Sequence, residues 1–109
     1  MEITVRENCR IITPLSPKLT ERESLRLSEE LDNYCEYRTG IDLTYVVDCT
    51  YDFIQKIREH RDISLFNIPS DIFAILTSMD LDKSIKLFVS EMDFLNDKHR
   101  LLNRKFHLV

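Results

Sequence analysis

Glycine is almost missing from this sequence: Gly40 is the only one among 109 residues. That excludes the glycine-rich phosphate cradles, since neither G-x-G-x-x-G nor a P-loop can be written with a single glycine. A long hydrophobic run is missing as well. No segment approaches the roughly 18 consecutive apolar residues that span a bilayer. The opening residues, from Met1 to Arg6, lack the basic-then-apolar layout of a secretory signal. The expectation is a cytoplasmic chain with no membrane insertion. Basic charge is not in excess either. The formal net charge is −4, whereas general nucleic-acid binding needs a basic face to neutralise phosphates. Cysteine is sparse and odd in number: Cys9, Cys35 and Cys49, with no C-x-x-C pair. Zinc and dithiol chemistry therefore find little support, and free thiols of a reducing compartment are expected.

What is present is an ordinary globular balance, 43% apolar and 31% charged, enough for one core. No repeat, linker or low-complexity tract divides the chain. Residues 1–109 read as one domain, with a C-terminal helix and tail over residues 91–109.

The apolar spacing supplies the elements. Ile3 and Val5 alternate with polar neighbours as in an edge strand, and a second strand covers Arg10 to Thr13. Pro14 and Pro17 end regular pairing. Thr20 and Glu23 form a T-x-x-E capping box before a helix with Leu27, Leu31 and Tyr34 on one stripe, ending near Cys35. Gly40 precedes an apolar, β-rich run from Ile41 to Val47, read as a central strand buried on both faces. A helix from Thr50 to His60 buries Phe53, Ile54 and Ile57. Ile63 to Phe66 is a short inner strand. Asn67-Ile68-Pro69-Ser70-Asp71 is a loop whose Asn or Ser caps the next helix, with Ile72, Ile75, Leu76 and Met79 as its stripe. A turn at Asp80 to Lys83 leads to alternating Ile85, Leu87 and Val89. Ser90 and Asp93 open a last helix containing Phe94, Leu95, Leu101 and Leu102. The order β-β-α-β-α-β-α-β-α implies βαβ crossovers and parallel pairing, with one antiparallel edge from the N-terminal pair.

Two stretches carry a resemblance. Leu65-Phe66-Asn67-Ile68-Pro69-Ser70-Asp71-Ile72 runs on to Leu76 and then to Met79-Asp80-Leu81-Asp82-Lys83. Asp42-Leu43-Thr44 is followed by Asp48-Cys49-Thr50, and Lys18-Leu19-Thr20 enters the first helix. This pattern resembles the STAS domain, the fold of bacterial anti-anti-sigma factors and of sulphate-transporter tails. Asp80 stands where the family usually has Gly. The resemblance implies an α/β fold: a mixed four- to five-stranded sheet with about four helices, mainly on one face. It also implies a regulatory module that binds a protein partner, such as a kinase-like anti-sigma factor. In that family a Ser after the motif Asp is phosphorylated by the partner, which breaks the complex. A phosphate there adds charge of roughly −1.5 to −2 beside an existing Asp.

This sequence departs from the pattern at the acceptor. Cys49 and Thr50 are the candidates for that position, and Tyr51 replaces the usual Gly. The usual serine switch is therefore expected to be absent or altered. Leu19, Thr20, Asp48, Cys49, Thr50 and Tyr51 are the expected partner-binding residues.

Each candidate has a plainer reading. Cys49 at a helix start invites a lowered thiol pKa and with it a nucleophilic or a redox-sensitive thiol, but no His lies near it in sequence, and a small residue packed at a strand end is favoured. Thr50 is either a phosphosite or a helix cap. Asp48 suits a helix N-terminus, and with Asp52 alone it makes no metal site. His60, His99 and His107 fall at helix ends or in the tail. Acid pairs such as Glu29-Glu30 read as solvated surface. The basic C-terminal segment, Lys98, His99, Arg100, Arg104 and Lys105 among Leu101, Leu102, Phe106, Leu108 and Val109, is read as a helix packed on the sheet. The alternatives are a membrane or partner contact through it. No acid, base and nucleophile set can be assembled, so neither catalysis nor a cofactor is expected. A self-associating structural domain, with a homodimer as one form, and a small-molecule sensor remain as readings from other classes.

Overall fold

The chain's first turn is set by two residues in the left-handed region. Glu7 and Asn8 have φ of 52° and 62°, as the two-residue type I′ hairpin requires. They join β1 (Glu2–Arg6) to β2 (Cys9–Thr13) in antiparallel register, Thr4 opposite Ile11. The computed structural model describes residues 1–33, 35–60 and 62–96. Tyr34 of the first helical stripe lies outside them. So does the C-terminal segment with Lys98, His99, Arg100, Leu101, Leu102, Arg104, Lys105, Phe106, His107, Leu108 and Val109.

After β2 come β3 (Lys18–Leu19), α1 (Glu21–Asp32), β4 (Arg38–Asp42), β5 (Asp48–Cys49), α2 (Tyr51–Arg58), β6 (Ile63–Phe66), α3 (Ser70–Ser78), a single 3₁₀ turn (Leu81–Lys83), β7 (Lys86–Leu87) and α4 (Glu91–Leu95). The main sheet has the order β1-β2-β4-β6-β7. Among the described strands of this sheet, only the β1–β2 pair is antiparallel. β3 and β5 form a separate two-stranded parallel sheet. The mixed sheet and its antiparallel edge are as the sequence order implies.

Alternation along the strands sorts side chains onto two faces. Ile12, Ile41, Leu65 and Leu87 face one way and pack with Leu27 of α1, Phe53, Ile54 and Ile57 of α2, and Ile72, Phe73 and Leu76 of α3. Cys9, Ile11, Phe66 and Phe88 face the other way and are covered by Phe94 of α4. Among the described residues, three helices thus lie on one face, and one short helix covers the other.

Four local expectations need correction. The central strand is β4, and it ends at Asp42 rather than Val47. The Asp42 carboxylate accepts from the Thr44 amide at 3.0 Å, an Asx turn that withdraws the backbone from the ladder. Val46 then bonds back to the Leu43 carbonyl. Leu43 and Val46 remain in the core, while Tyr45 and Val47 face solvent. The α3 stripe is centred on Ile72, Phe73 and Leu76, and Ile75 is exposed. The N-cap of α3 is Pro69, not Asn67 or Ser70, and it acts through its carbonyl to the Phe73 amide. The last described strand is only Lys86–Leu87, so Ile85 and Val89 lie outside it, and Phe88 is buried on the second face.

Other expectations hold. Ser90 caps α4, its Oγ accepting from the Asp93 amide at 3.2 Å. Asp80 sits at φ 58°, ψ 23°, the left-handed conformation that glycine adopts most easily. Arg10 shows what spacing does not reveal. It is buried within β2, where its Nε donates to Thr39 Oγ1 at 3.1 Å and its Nη1 to the Glu30 carbonyl at 3.3 Å. It thereby supplies partners to the C-terminal end of α1, which has no basic residue in its last turn.

Candidate functional site

The expected site residues come from two segments 28 positions apart in the chain, and the small β3–β5 sheet brings them together. Lys18 pairs with Asp48, and Leu19 with Cys49. Beyond this ladder, the Pro17 carbonyl accepts from the amides of Val47 at 2.7 Å and Asp48 at 3.1 Å. The Leu19 carbonyl accepts from the Thr50 amide at 3.0 Å and from Thr50 Oγ1 at 3.2 Å. The starts of α1 and α2 are therefore held side by side at one rim of the domain.

The loop entering this rim is fixed from the other side. Asn67 follows β6 at φ 53°, a conformation Asn tolerates better than most residues. Its Nδ2 donates to Asp42 Oδ1 and to Thr44 Oγ1, each at 3.0 Å. Thr44 Oγ1 also donates to the Asp42 carboxylate. Asp42, Thr44 and Asn67 thus tie the C-terminal ends of β4 and β6 to the 43–47 loop.

The six site candidates do different things. Leu19 is only 1% exposed and packs in the core. Its side chain anchors the rim and is not presented to a partner, which corrects the sequence expectation. The reason is alternation: β3 has one inward position and Leu19 fills it. Thr20 is exposed at the N-cap of α1, but it does not complete the reciprocal box. Its hydroxyl donates to the Glu23 carboxylate, and the capping backbone bond runs from the Ser24 amide to the Thr20 carbonyl at 2.9 Å. The Thr20 hydroxyl holds the Glu23 carboxyl below the usual carboxylate range. Asp48 is exposed, and its Oδ1 accepts from the Cys49 amide at 2.9 Å. Thr50 takes the N-cap place of α2, but its hydroxyl goes to Leu19 rather than to the helix amides. Tyr51 is exposed at the first helical position.

Cys49 is half-buried against the core. Burial, reinforced by the neighbouring Asp48 charge, pushes its thiol up to about 11. The helix start does not win here: desolvation and a like-signed neighbour disfavour the thiolate. This is the reverse of what a nucleophilic cysteine needs.

Sequence reasoning missed the apolar part of the rim. Val47 is 69% exposed, and Leu15, Tyr45 and Tyr51 are exposed with it. These residues stand on the segments that the Pro17 and Leu19 carbonyls stitch together. Reading 41–47 as one buried strand hid Tyr45 and Val47. The signal that reveals them is the Asp-x-Thr turn after Ile41. A shallow groove lined by Cys35, Arg38, Asp62 and Lys86 lies among residues at the starts of β4, β6 and β7, the opposite rim. Among the described residues, no three His, Cys, Asp or Glu side chains converge as a metal set, and no helix is long and apolar enough to cross a membrane.

No protein-family model matches the sequence, and no curated protein matches it. The fold does have solved counterparts. A Thermotoga maritima protein described as an anti-sigma factor antagonist superposes with a TM-score of 0.77 at 12% identity, over 88% of this chain and 92% of that one. The murine solute carrier 26 family member A9 anion transporter superposes with a TM-score of 0.63 at 18% identity. That match covers 83% of this chain but only 18% of the transporter. A chain matched over nearly its whole length and a small part of a transporter thus share one architecture with this chain, and they are the two settings that the sequence resemblance implied. The chain has the STAS fold.

Proposed function

We propose that this chain is a regulatory protein-binding module of the anti-sigma factor antagonist type, acting in the cytoplasm without the usual serine phospho-switch. The observation that carries this reading is the rim built by the β3–β5 sheet. It sets Thr20, Asp48, Thr50 and Tyr51 beside exposed Leu15, Tyr45 and Val47. Exposed aromatic and branched residues around a few fixed polar groups are what a protein interface uses. The similarity to a protein described as an anti-sigma factor antagonist supports a protein partner, and the sequence resemblance implies its class, a kinase-like anti-sigma factor.

Two features support constitutive rather than phosphate-gated binding. The acceptor place holds a half-buried thiol that resists ionisation. The adjacent Thr50 hydroxyl is committed to the Leu19 carbonyl, so phosphorylating it would cost one of the bonds that stitch the rim. The same raised thiol supports a binding role over a catalytic one.

The test is affinity purification of the tagged chain from its native cells, with the co-purifying proteins identified by mass spectrometry. The expected result is one stoichiometric ATP-binding, kinase-like partner, lost with Tyr51→Ala and with Asp48→Lys while both variants keep the wild-type melting temperature. Recovery of the chain alone, or of a partner that both variants retain, would overturn the reading. Phosphopeptide mapping of the 45–56 region should return it unmodified.

A further inference from the structure

The two edges of the main sheet differ. β7 offers two residues at one edge, too few to template another strand. β1 offers five at the other edge, with no proline to block pairing. Natural edge strands of this length are usually guarded against open-ended association. The sequence of β1, Glu2-Ile3-Thr4-Val5-Arg6, is guarded in a selective way: it is complementary to itself when reversed.

We infer that β1 is a homodimerisation edge, pairing antiparallel with β1 of a second copy about a two-fold axis at Thr4. In that register Glu2 stands opposite Arg6 of the second copy, Ile3 opposite its Val5, Thr4 opposite its Thr4, and the two outer pairs repeat by symmetry. Both charged pairs are of opposite sign and both apolar pairs are β-branched, the pairings that stabilise neighbouring strands.

The backbone suits this register. In a two-residue hairpin the flanking pair, here Arg6 and Cys9, exchanges hydrogen bonds. Alternation then turns the amides and carbonyls of Glu2, Thr4 and Arg6 toward β2, and those of Ile3 and Val5 outward. Ile3 and Val5 are the residues that the Thr4-centred register places opposite one another. Their bonds close two pairs across the axis, and the charged residues occupy the closer, non-hydrogen-bonded sites.

The side chains agree. Ile3 is 43% exposed and Val5 60%, although both lie on the helix-covered face of the sheet opposite Ile12 and Arg10. A second copy would cover them. On the other face, Arg6 Nη1 already donates to Glu91 Oε2 at 2.7 Å. That bond uses one of five guanidinium donors and holds the arginine where Glu2 of the second copy arrives. The result is a closed two-fold assembly with one continuous sheet. Closure consumes both edges of this kind, so the pairing cannot propagate. The inference does not rest on the partner-binding rim, which involves none of the β1 residues.

The test is the mass of the full chain in solution, by light scattering and sedimentation over a range of concentrations, with circular dichroism to confirm folding. Wild type should run at twice the 13.0 kDa chain mass. Glu2→Arg and Arg6→Glu each set like charges opposite one another, and each should weaken dimerisation about tenfold or more. An equimolar mixture of the two restores both charge pairs and should recover a heterodimer. Val5→Pro removes an outward amide without touching the β1–β2 ladder and should give a folded monomer. A wild-type monomer at every concentration overturns the inference. So does a dimer indifferent to both charge reversals, or a mixture that stays monomeric.

Discussion

The Phe94 ring lies directly over Gly40: a Cβ at Gly40 would sit 2.7 Å from the ring Cζ. The same ring stacks on Phe66, centroids 5.2 Å apart, and meets Phe88 edge-on at 5.6 Å. The Arg38 guanidinium lies 4.7 Å from its centroid. One aromatic side chain on a helix of only five residues thus closes the second face of the sheet. Gly40→Ala should destabilise the chain by about 1–3 kcal/mol, the usual cost of overpacking. Phe94→Ala should cost about 3–5 kcal/mol. The double variant should lose less than the sum, because removing the ring opens the space that the new methyl needs. Urea unfolding of the four proteins measures this coupling; strict additivity would contradict the contact.

Asn67 joins the ends of β4 and β6 through Asp42 and Thr44. Asn67→Ala removes both bonds and leaves an alanine at positive φ. A loss of about 1–3 kcal/mol is expected, from the hydrogen bonds and the left-handed backbone together. Asn67→Gly loses the same bonds but relieves the backbone, so it should be the milder of the two. Hydrogen exchange should show faster opening of the 43–47 loop in both.

The Cys49 thiol should react more slowly with iodoacetamide at neutral pH than a free cysteine, because only the thiolate attacks. It also makes stability depend on pH. The unfolded thiol ionises near its ordinary 9.0, the folded one near about 11. Between those values the native state holds the extra proton, so stability falls as pH rises through this window. Below pH 9 the effect vanishes. Chemical denaturation of wild type and Cys49→Ala across pH 7–11 should show the difference between them changing only above pH 9.

Ser24 is buried in α1, and its hydroxyl finds no partner among the described residues. Ser24→Ala removes a desolvated polar atom and improves helix propensity. The melting temperature should stay level or rise, by the equivalent of up to about 1 kcal/mol. A fall of similar size would show that the hydroxyl has a role in packing.

Much of this protein was legible in its residues because the relevant physics is local. Apolar periodicity places α1, α2, α3 and the short inner strand β6. Ser90 with Asp93 marks the start of α4 by the spacing of one hydrogen bond. The alternation of strands with helices implies a parallel sheet, since a parallel pair needs a crossover. The Asp42 and Asn67 stretches carry enough of the pattern to point to the STAS fold.

The rest depended on contacts between distant segments, which spacing does not encode. The run 41–47 has strand composition throughout, yet the Asp42 carboxylate captures the Thr44 amide and turns half of it into a loop exposing Tyr45 and Val47. Gly40 reads locally as a break before a strand, but it lies inside one, because Phe94 must descend onto the sheet 54 positions later. Leu19 reads as a surface contact and is core, because β3 pairs with β5 and turns it inward. The sequence by itself determined which segments could be helices or strands and which residues were apolar enough to be buried. Only the tertiary structure decided which of them met, and therefore which face each side chain showed, because burial is a property of neighbours and not of the residue alone.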